Sequence, residues 1–366
     1  MANSLGNIFR ITSFGESHGE LIGIILDGCP AGLKLDVGSI QSELDKRRPG
    51  QSDLTTQRTE KDKVKVLSGI FNEYTTGAPI CLIIENKDVD SSKYEKIKDI
   101  LRPSHADFTR LKKYGGFADY RGGGRFSGRI TAGFVMAGAV ARQVLSKFDI
   151  EIVAYTSEIG GINDPNEYEI GEIKSLRVKS GVGVLDVSLS EKISELIKKT
   201  KETGDSVGGI VKCIVANIPE GVGDPIFNNL QADISKAIFS IPAVKGIEFG
   251  AGFKAARMKG SEHNDPWILE GTKVKTAKND AGGIIGGIST GMPIEFNVCF
   301  KPTASISKKQ KTVNIKDKNE TELSIEGRHD PCIVPRAIPV VEAMAAIVLL
   351  DHLLLAQKVP TVLETR

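Results

Sequence analysis

The chain has almost no net charge: 48 Lys+Arg stand against 46 Asp+Glu over 366 residues, giving +2. A nucleic-acid binder usually shows a strongly basic face, so no nucleic-acid partner is expected. The five cysteines, Cys29, Cys81, Cys213, Cys299 and Cys332, are scattered and include no pair with metal-ligand spacing. They read as buried free thiols in a reducing compartment, and no metal site is expected. No basic region followed by an apolar core opens the sequence, so no signal peptide is expected and the location is expected to be cytoplasmic. The most apolar stretch, 337–355, is interrupted by Pro339, Glu342, Asp351 and His352. It reads as a buried helix rather than a membrane span. A Walker loop is missing, and so is a Rossmann glycine fingerprint opening a βαβ unit.

What is present is the balance of a globular protein, with 40% apolar and 26% charged residues. Strand-like runs occupy 64–70, 80–85, 151–156, 210–218 and 293–300. Helical periodicity is clearest over 37–47, 127–148, 189–199, 230–239 and 336–357. These patterns predict one α+β domain over 1–366. Ala132, Gly133, Ala137, Gly138, Ala139 and Ala141 give the second helix a small-residue surface that another element can approach closely. A faint repeat links Cys29-Pro30-Ala31-Gly32-Leu33 with Ile218-Pro219-Glu220-Gly221-Val222, each after a strand and before a helix. The lysine-rich segment 307–322 reads as an exposed, mobile loop.

Chemistry concentrates in three places. Gly15-Glu16-Ser17-His18-Gly19 is a glycine-flanked corner between two apolar runs, and it lifts a serine and a histidine clear of their neighbours. Eight of the 15 arginines fall between Arg47 and Arg129, which suits an anionic small molecule, because guanidinium groups bind carboxylate and phosphate in bidentate fashion. Gly122-Gly123-Gly124-Arg125-Phe126-Ser127 delivers a helix N-terminus, a ready anion site. Taken alone, a histidine more often makes a structural hydrogen bond, and His263 and His352 are read so.

The corner and its continuation to Cys29-Pro30 resemble the N-terminal signature of chorismate synthases. Arg102-Pro103-Ser104-His105-Ala106-Asp107 running on to Asp119-Tyr120-Arg121-Gly122-Gly123-Gly124-Arg125 agrees with it, as does Gly327-Arg328-His329-Asp330-Pro331-Cys332 with Pro335-Arg336-Ala337. The resemblance implies antiparallel sheets sandwiching central helices, in pseudo-repeated halves, assembled as a homotetramer. It implies conversion of 5-enolpyruvylshikimate 3-phosphate to chorismate, a 1,4-elimination of phosphate that needs reduced FMN without net redox. In that reading His18 is the general acid, His105 lies near the flavin, and Asp330 is the base acting with flavin N5. Substrate contacts carried over are Ser17, Arg47, Arg48, Arg129 and Arg336. Flavin contacts carried over are Arg125, Phe126, Ser127, Pro242, Ala243, Gly286, Lys301, Pro302, Thr303, Ala304, Ser305 and Arg328.

Three positions depart from the family pattern. Phe126 replaces a serine, so only its backbone can hydrogen-bond the cofactor. Asp280 replaces the usual histidine or asparagine. Asp53 stands where many relatives carry a basic residue, and its charge disfavours direct use of NADPH. An external flavin reductase, with NADPH as ultimate reductant, is therefore an expected partner. Two other readings stay open at this level: an NADPH-dependent flavin reductase and a non-catalytic phosphometabolite- or flavin-binding protein.

Overall fold

A computed structural model describes residues 3–48, 50, 62–87, 91–325 and 330–363. Two five-stranded antiparallel sheets enclose a layer of helices, the α+β sandwich expected. The first sheet contains β1 (Ser4–Leu5), β2 (Arg10–Gly15), β3 (Leu21–Asp27), β4 (Lys65–Val66) and β5 (Ile80–Glu85), in the order β1-β2-β3-β5-β4. The second contains β6 (Glu151–Ile159), β7 (Ile162–Asn163), β8 (Gly209–Ala216), β9 (Val244–Phe249) and β10 (Ile294–Phe300), in the order β9-β10-β8-β6-β7. Between them lie α1 (Val37–Arg47), α2 (Thr131–Leu145), α3 (Leu230–Ile238) and α4 (Val334–Leu355).

Period-two burial fixes the register of each sheet. Ile22, Ile24 and Leu26 on β3 pair directly with Ile84, Leu82 and Ile80 on β5, and all six are fully buried. In the second sheet Val211, Cys213 and Val215 pair in the same way with Val298, Phe296 and Ile294. Each sheet therefore lays one apolar face on the helices.

The faint repeat is real at the level of hydrogen bonds. Strand order β2-β3-β5-β4 in one sheet is matched by β6-β8-β10-β9 in the other, with α1 and α3 as the equivalent crossovers. Gly32 donates to Thr75 O and Gly221 to Ser289 O. Thr75 Oγ1 accepts from Leu33 N and donates to Pro30 O; Ser289 Oγ accepts from Val222 N and donates to Pro219 O. Both glycines have a left-handed φ, near 83° and 81°, which explains why the motif keeps glycine at that point.

Helix α4 is long and apolar enough to cross a membrane, yet 94% of its most apolar window is buried inside the sandwich. It carries three buried polar groups, each with partners. Asp351 accepts from the backbone N–H groups of Asn7, Ile8 and Phe9. His352 bonds Asp233 at 2.9 Å, the structural role expected of it. Glu342 meets Arg142 at 3.0 Å and Arg177 at 2.5 Å, and accepts from Ala154 N. Burial pushes this carboxyl up, but the two guanidiniums outweigh that and hold it below its ordinary range.

Several expectations need correction. The segment 307–322 is not a loop: Gln310–Asn314 and Asn319–Leu323 form a hairpin, and Ile100 bridges to Asn314. Its cross-strand pairs Lys311–Glu322 and Thr312–Thr321 stabilise strands without an apolar face, which the polar composition disguised. The run 64–70 splits into β4 and a small hairpin beginning at Ile70. Regular α-helix within 127–148 spans only α2, with 3₁₀ turns on either side. Cys29, Cys213 and Cys332 are buried, whereas Cys81 is half-buried and Cys299 exposed.

Helix α2 rests on α4 through Gly138, where an added Cβ would lie 2.3 Å from the Ala343 Cα and 2.8 Å from its carbonyl oxygen. Gly138→Ala should gain about 1 kcal/mol in helix propensity and lose about 1–3 kcal/mol through overpacking against backbone that cannot yield. Urea denaturation should show net destabilisation. A stabilised variant would mean that the two helices separate at little cost.

Candidate functional site

One cavity of about 1180 Å³ opens beside the N-terminal ends of α2 and α4. It lies between two excursions of the chain: the segment joining β5 to α2 and its counterpart joining β10 to α4. Each pseudo-repeat half thus supplies one wall.

The corner between β2 and β3 forms the floor. Gly15, at φ near 82°, turns the chain where any Cβ would overlap Leu21 O. Asn86 Nδ2 donates to both Glu16 O and Gly19 O at 2.9 Å, which holds the corner closed. Ser17 and His18 are both nearly buried. The Ser17 hydroxyl is within donating distance of Gly122 O at 3.1 Å and Arg121 O at 3.3 Å, and it lies 3.2 Å from His18 Nδ1. Carbonyl oxygens only accept, so the hydroxyl proton goes to them and His18 Nδ1–H donates to Ser17. Tyr94 meets the imidazole edge-on, with ring centroids 5.2 Å apart, and Arg102 lies over the Tyr94 ring at 5.7 Å.

The glycine-rich loop is shaped by its neighbours. Gly122, Gly123 and Gly124 all have positive φ, and a Cβ on Gly122 would overlap the His18 ring. Ser127 then caps the following turn by accepting from Arg129 N at 3.3 Å. Arg125 points back to Ser13 Oγ, Gly15 O and Asn3 Oδ1, while Phe126 leans on Tyr114.

Arginines line one side. Arg47 donates to Thr131 Oγ1 and Gly128 O, and Arg129 donates to Asn86 Oδ1. Both also meet the Asp62 carboxylate. Arg336 Nε donates to Arg47 O at 3.0 Å, and its Nη1 is ion-paired with Asp330. Arg102 and Arg110 share Asp107 in the same manner.

His105 joins the two walls. Its Nδ1 is 2.9 Å from Pro103 O and its Nε2 2.8 Å from Ser305 Oγ. Burial, reinforced by the nearby Arg102, lowers its pKa to about 4. The ring is therefore neutral near pH 7: Nδ1–H donates to Pro103 O, and Nε2 accepts the Ser305 hydroxyl. Lys301 donates to Ser104 O at 3.1 Å, a second tie between the walls. Pro242, Ala243, Pro302, Thr303 and Ala304 complete this side, with Ala243 in the left-handed region at φ 73°.

Seventeen of the expected positions can thus be placed on this cavity: Ser17, His18, Arg47, His105, Arg125, Phe126, Ser127, Arg129, Pro242, Ala243, Lys301, Pro302, Thr303, Ala304, Ser305, Asp330 and Arg336. Two others lie off its lining. Gly286 sits in the tight turn between Ile284–Ile285 and Ile288–Ser289, off the cavity, because its glycine cluster serves that turn. Arg48 leaves the lining and turns to Asp45 at 3.4 Å, since the residue after a buried helical position faces away. Arg328, His329 and Asp53 lie outside the described residues. Sequence reading missed Tyr94, Asn86 and Asp62, which sit in polar stretches with no motif of their own.

Known proteins resemble this chain in sequence and fold. The chorismate synthase family model matches residues 9–354. A chorismate synthase of Dehalococcoides mccartyi (strain ATCC BAA-2100 / JCM 16839 / KCTC 5957 / BAV1) is 54% identical over 366 residues, covering 100% of both chains. One of Korarchaeum cryptofilum (strain OPF8) is 50% identical, covering 95% of this chain and 96% of its own. A chorismate synthase crystal structure superposes with a TM-score of 0.76 at 30% identity, covering 96% of this chain and 93% of that one. The chain belongs to the chorismate synthase family and is a carbon–oxygen lyase acting on phosphates.

Proposed function

We propose that this cavity carries out the 1,4-elimination of phosphate from 5-enolpyruvylshikimate 3-phosphate, giving chorismate, with reduced FMN bound beside the substrate. The observation that carries the reading is convergence: His18, Asp330 and the arginine wall of Arg47, Arg129 and Arg336 face one cavity. Its volume, about 1180 Å³, exceeds the ~300–1,000 Å³ of a typical single-ligand pocket.

The residues present fit a flavin. A Cβ at Gly128 would meet no atom within 4 Å, leaving space against the helix N-terminus. Thr303 Oγ1 is buried with no hydrogen-bond partner among the described residues, as a group awaiting a ligand would be. When bound, reduced flavin supplies electron density that assists cleavage of the carbon–oxygen bond. Arg125, Ser127, Lys301 and Thr303 would hold it.

Elimination breaks one C–H and one C–O bond, and the electron pair of the C–O bond leaves with phosphate. As the imidazolium, His18 gives its Nε2 proton to that leaving group and keeps its Nδ1–H on the Ser17 oxygen. Asp330 accepts the ring proton, and Arg336 keeps its carboxylate oriented. Arg47 and Arg129 hold the anionic substrate. Neutral His105 orients the flavin-side wall through Ser305 and has no proton to give at Nε2. Homotetramer assembly, an external flavin reductase and a cytoplasmic location belong to the same proposal. Exposed Phe117, Phe227, Phe253 and Leu269 are apolar surface of the sort an assembly covers.

Anaerobic phosphate release with photoreduced FMN and no NADPH tests the reading. The protein should release phosphate, and His18→Ala should slow release by about 10²-fold or more while leaving flavin binding intact. A binding module would release none, and a reductase would require the nicotinamide.

Asp330→Asn should change substrate and FMN affinities less than about tenfold and slow turnover on the order of 10²- to 10⁴-fold. If FMN affinity falls in proportion to rate, Asp330 is a structural ligand and not the base.

His105, with its pKa near 4 against an ordinary value of 6.5, is expected to stay neutral as pH falls through 6.5. An unfolded chain would bind a proton in that range, so this residue lowers stability progressively between pH 6.5 and about 4. Ring ¹⁵N resonances at pH 6 should report the neutral Nδ1–H tautomer. An imidazolium signal there would contradict the assigned bonds.

A further inference from the structure

We propose that Asp62 is a fixed counter-ion that positions Arg47 and Arg129 and limits how tightly the cavity grips the phosphate group. Resting on the reading that these arginines meet the substrate, the inference concerns a residue that touches neither substrate nor cofactor. Its carboxylate is divided between the two guanidiniums: Oδ1 lies 2.7 Å from Arg129 Nη1, and Oδ2 lies 3.4 Å from Arg47 Nη1. Its side chain is 0% exposed. Neither arginine depends on it alone, since Thr131 and Gly128 engage Nε and Nη2 of Arg47 and Asn86 engages Nε of Arg129.

One alternative is that Asp62 occupies the substrate's own anion site and leaves when substrate arrives. The backbone argues against this. Gln41 on α1 donates to Asp62 O at 3.2 Å and accepts from Val64 N at 3.0 Å, so residues 62–64 are bonded on both sides to one helical side chain. Asp62 also holds a left-handed φ of 40°, which aspartate tolerates better than a bulky or β-branched residue. A side chain without exposure on a doubly tied backbone is part of the wall.

The electrostatic consequence follows from charge. Two guanidiniums and one carboxylate present a net charge of +1, and removing the carboxylate leaves +2 in the same buried place. Coulomb attraction for a phosphate dianion rises accordingly. Phosphate is both a substrate group and the product that must leave. A stronger grip with less orientation binds product well and turns substrate over poorly.

The test uses the flavin-loaded enzyme under anaerobic conditions, with inorganic phosphate as inhibitor. Asp62→Asn should lower the phosphate inhibition constant by about fivefold or more, while kcat falls by about tenfold. Tighter phosphate with unchanged kcat would make Asp62 a displaceable occupant and overturn the proposal. A lower kcat with phosphate inhibition unchanged or weakened would leave only a fold-maintaining role and overturn it as well. No change in either does the same. If Asp62→Asn does not fold by thermal melting, Asp62→Glu decides: charge is kept and the oxygens shift by one methylene. Phosphate inhibition should then stay within about twofold while kcat falls about tenfold; an unchanged kcat or an altered inhibition constant rejects the proposal. Arg129→Gln is the separate control. If it alters neither KM nor phosphate inhibition, the arginine reading of the site fails, whatever Asp62 does.

Discussion

The backbone-close contact of α2 on α4 is the constraint from which the rest of the molecule takes its position. At Gly138 the two helices leave no room for a Cβ, so their axes cannot slide or part without losing a fully buried seam. Both helices start beside the cavity: Arg129 lies two residues before α2, and Arg336 lies in the first turn of α4. Locking the seam therefore locks the arginine wall. Glu342, Arg142 and Arg177 tie the same helices to the second sheet through a buried ion triad, which specifies geometry more than it adds stability.

The repeat explains why the cavity lies where it does. Each half is a small sheet with one crossover helix and one long excursion before its central helix. Neither half holds a complete site. His18 and Arg129 come from the first, Lys301, Ser305 and Asp330 from the second. His105–Ser305 and Lys301–Ser104 O are the bonds that draw the two excursions together. The hairpin at 310–323 adds backbone pairing to residues 99–101, outside the cavity. An excursion that looked like surface decoration in the sequence is thus a strut between the halves.

Legibility in the sequence followed the strength of the local physical signal. Helix 37–47 and strand 80–85 were readable to the residue, because period and burial agree there. The helix of small residues was legible as a close-packing element, and Gly138 against Ala343 is the contact it anticipated. The hairpin was not legible, because its stability comes from cross-strand pairs that composition alone does not order. The site was legible where a motif held glycine in left-handed turns, as at Gly15 and Gly122. Asp62, Asn86 and Tyr94 were invisible because their roles exist only after residues distant in sequence meet: Asn86 reaches Arg129, and Asp62 reaches both Arg47 and Arg129. Gly286 lies off the cavity lining, because a glycine cluster marks a turn without saying what the turn faces.

A single device recurs through the molecule. Among the described residues, arginine pairs share one carboxylate three times: Arg47 and Arg129 at Asp62, Arg102 and Arg110 at Asp107, Arg142 and Arg177 at Glu342. Burial alone would push Asp107 and Glu342 up, yet their arginines hold both below the ordinary carboxylate range. Each triad carries a net +1 and fixes two guanidinium planes. At Glu342 that arrangement lies in the core and acts on the fold. At Asp62 and Asp107 the same arrangement borders the cavity, where rigid, partly neutralised guanidiniums can hold an anion without closing on it irreversibly. A bare cluster of eight arginines would attract phosphate and keep it; arginines already paired can bind an anionic substrate and still let phosphate leave.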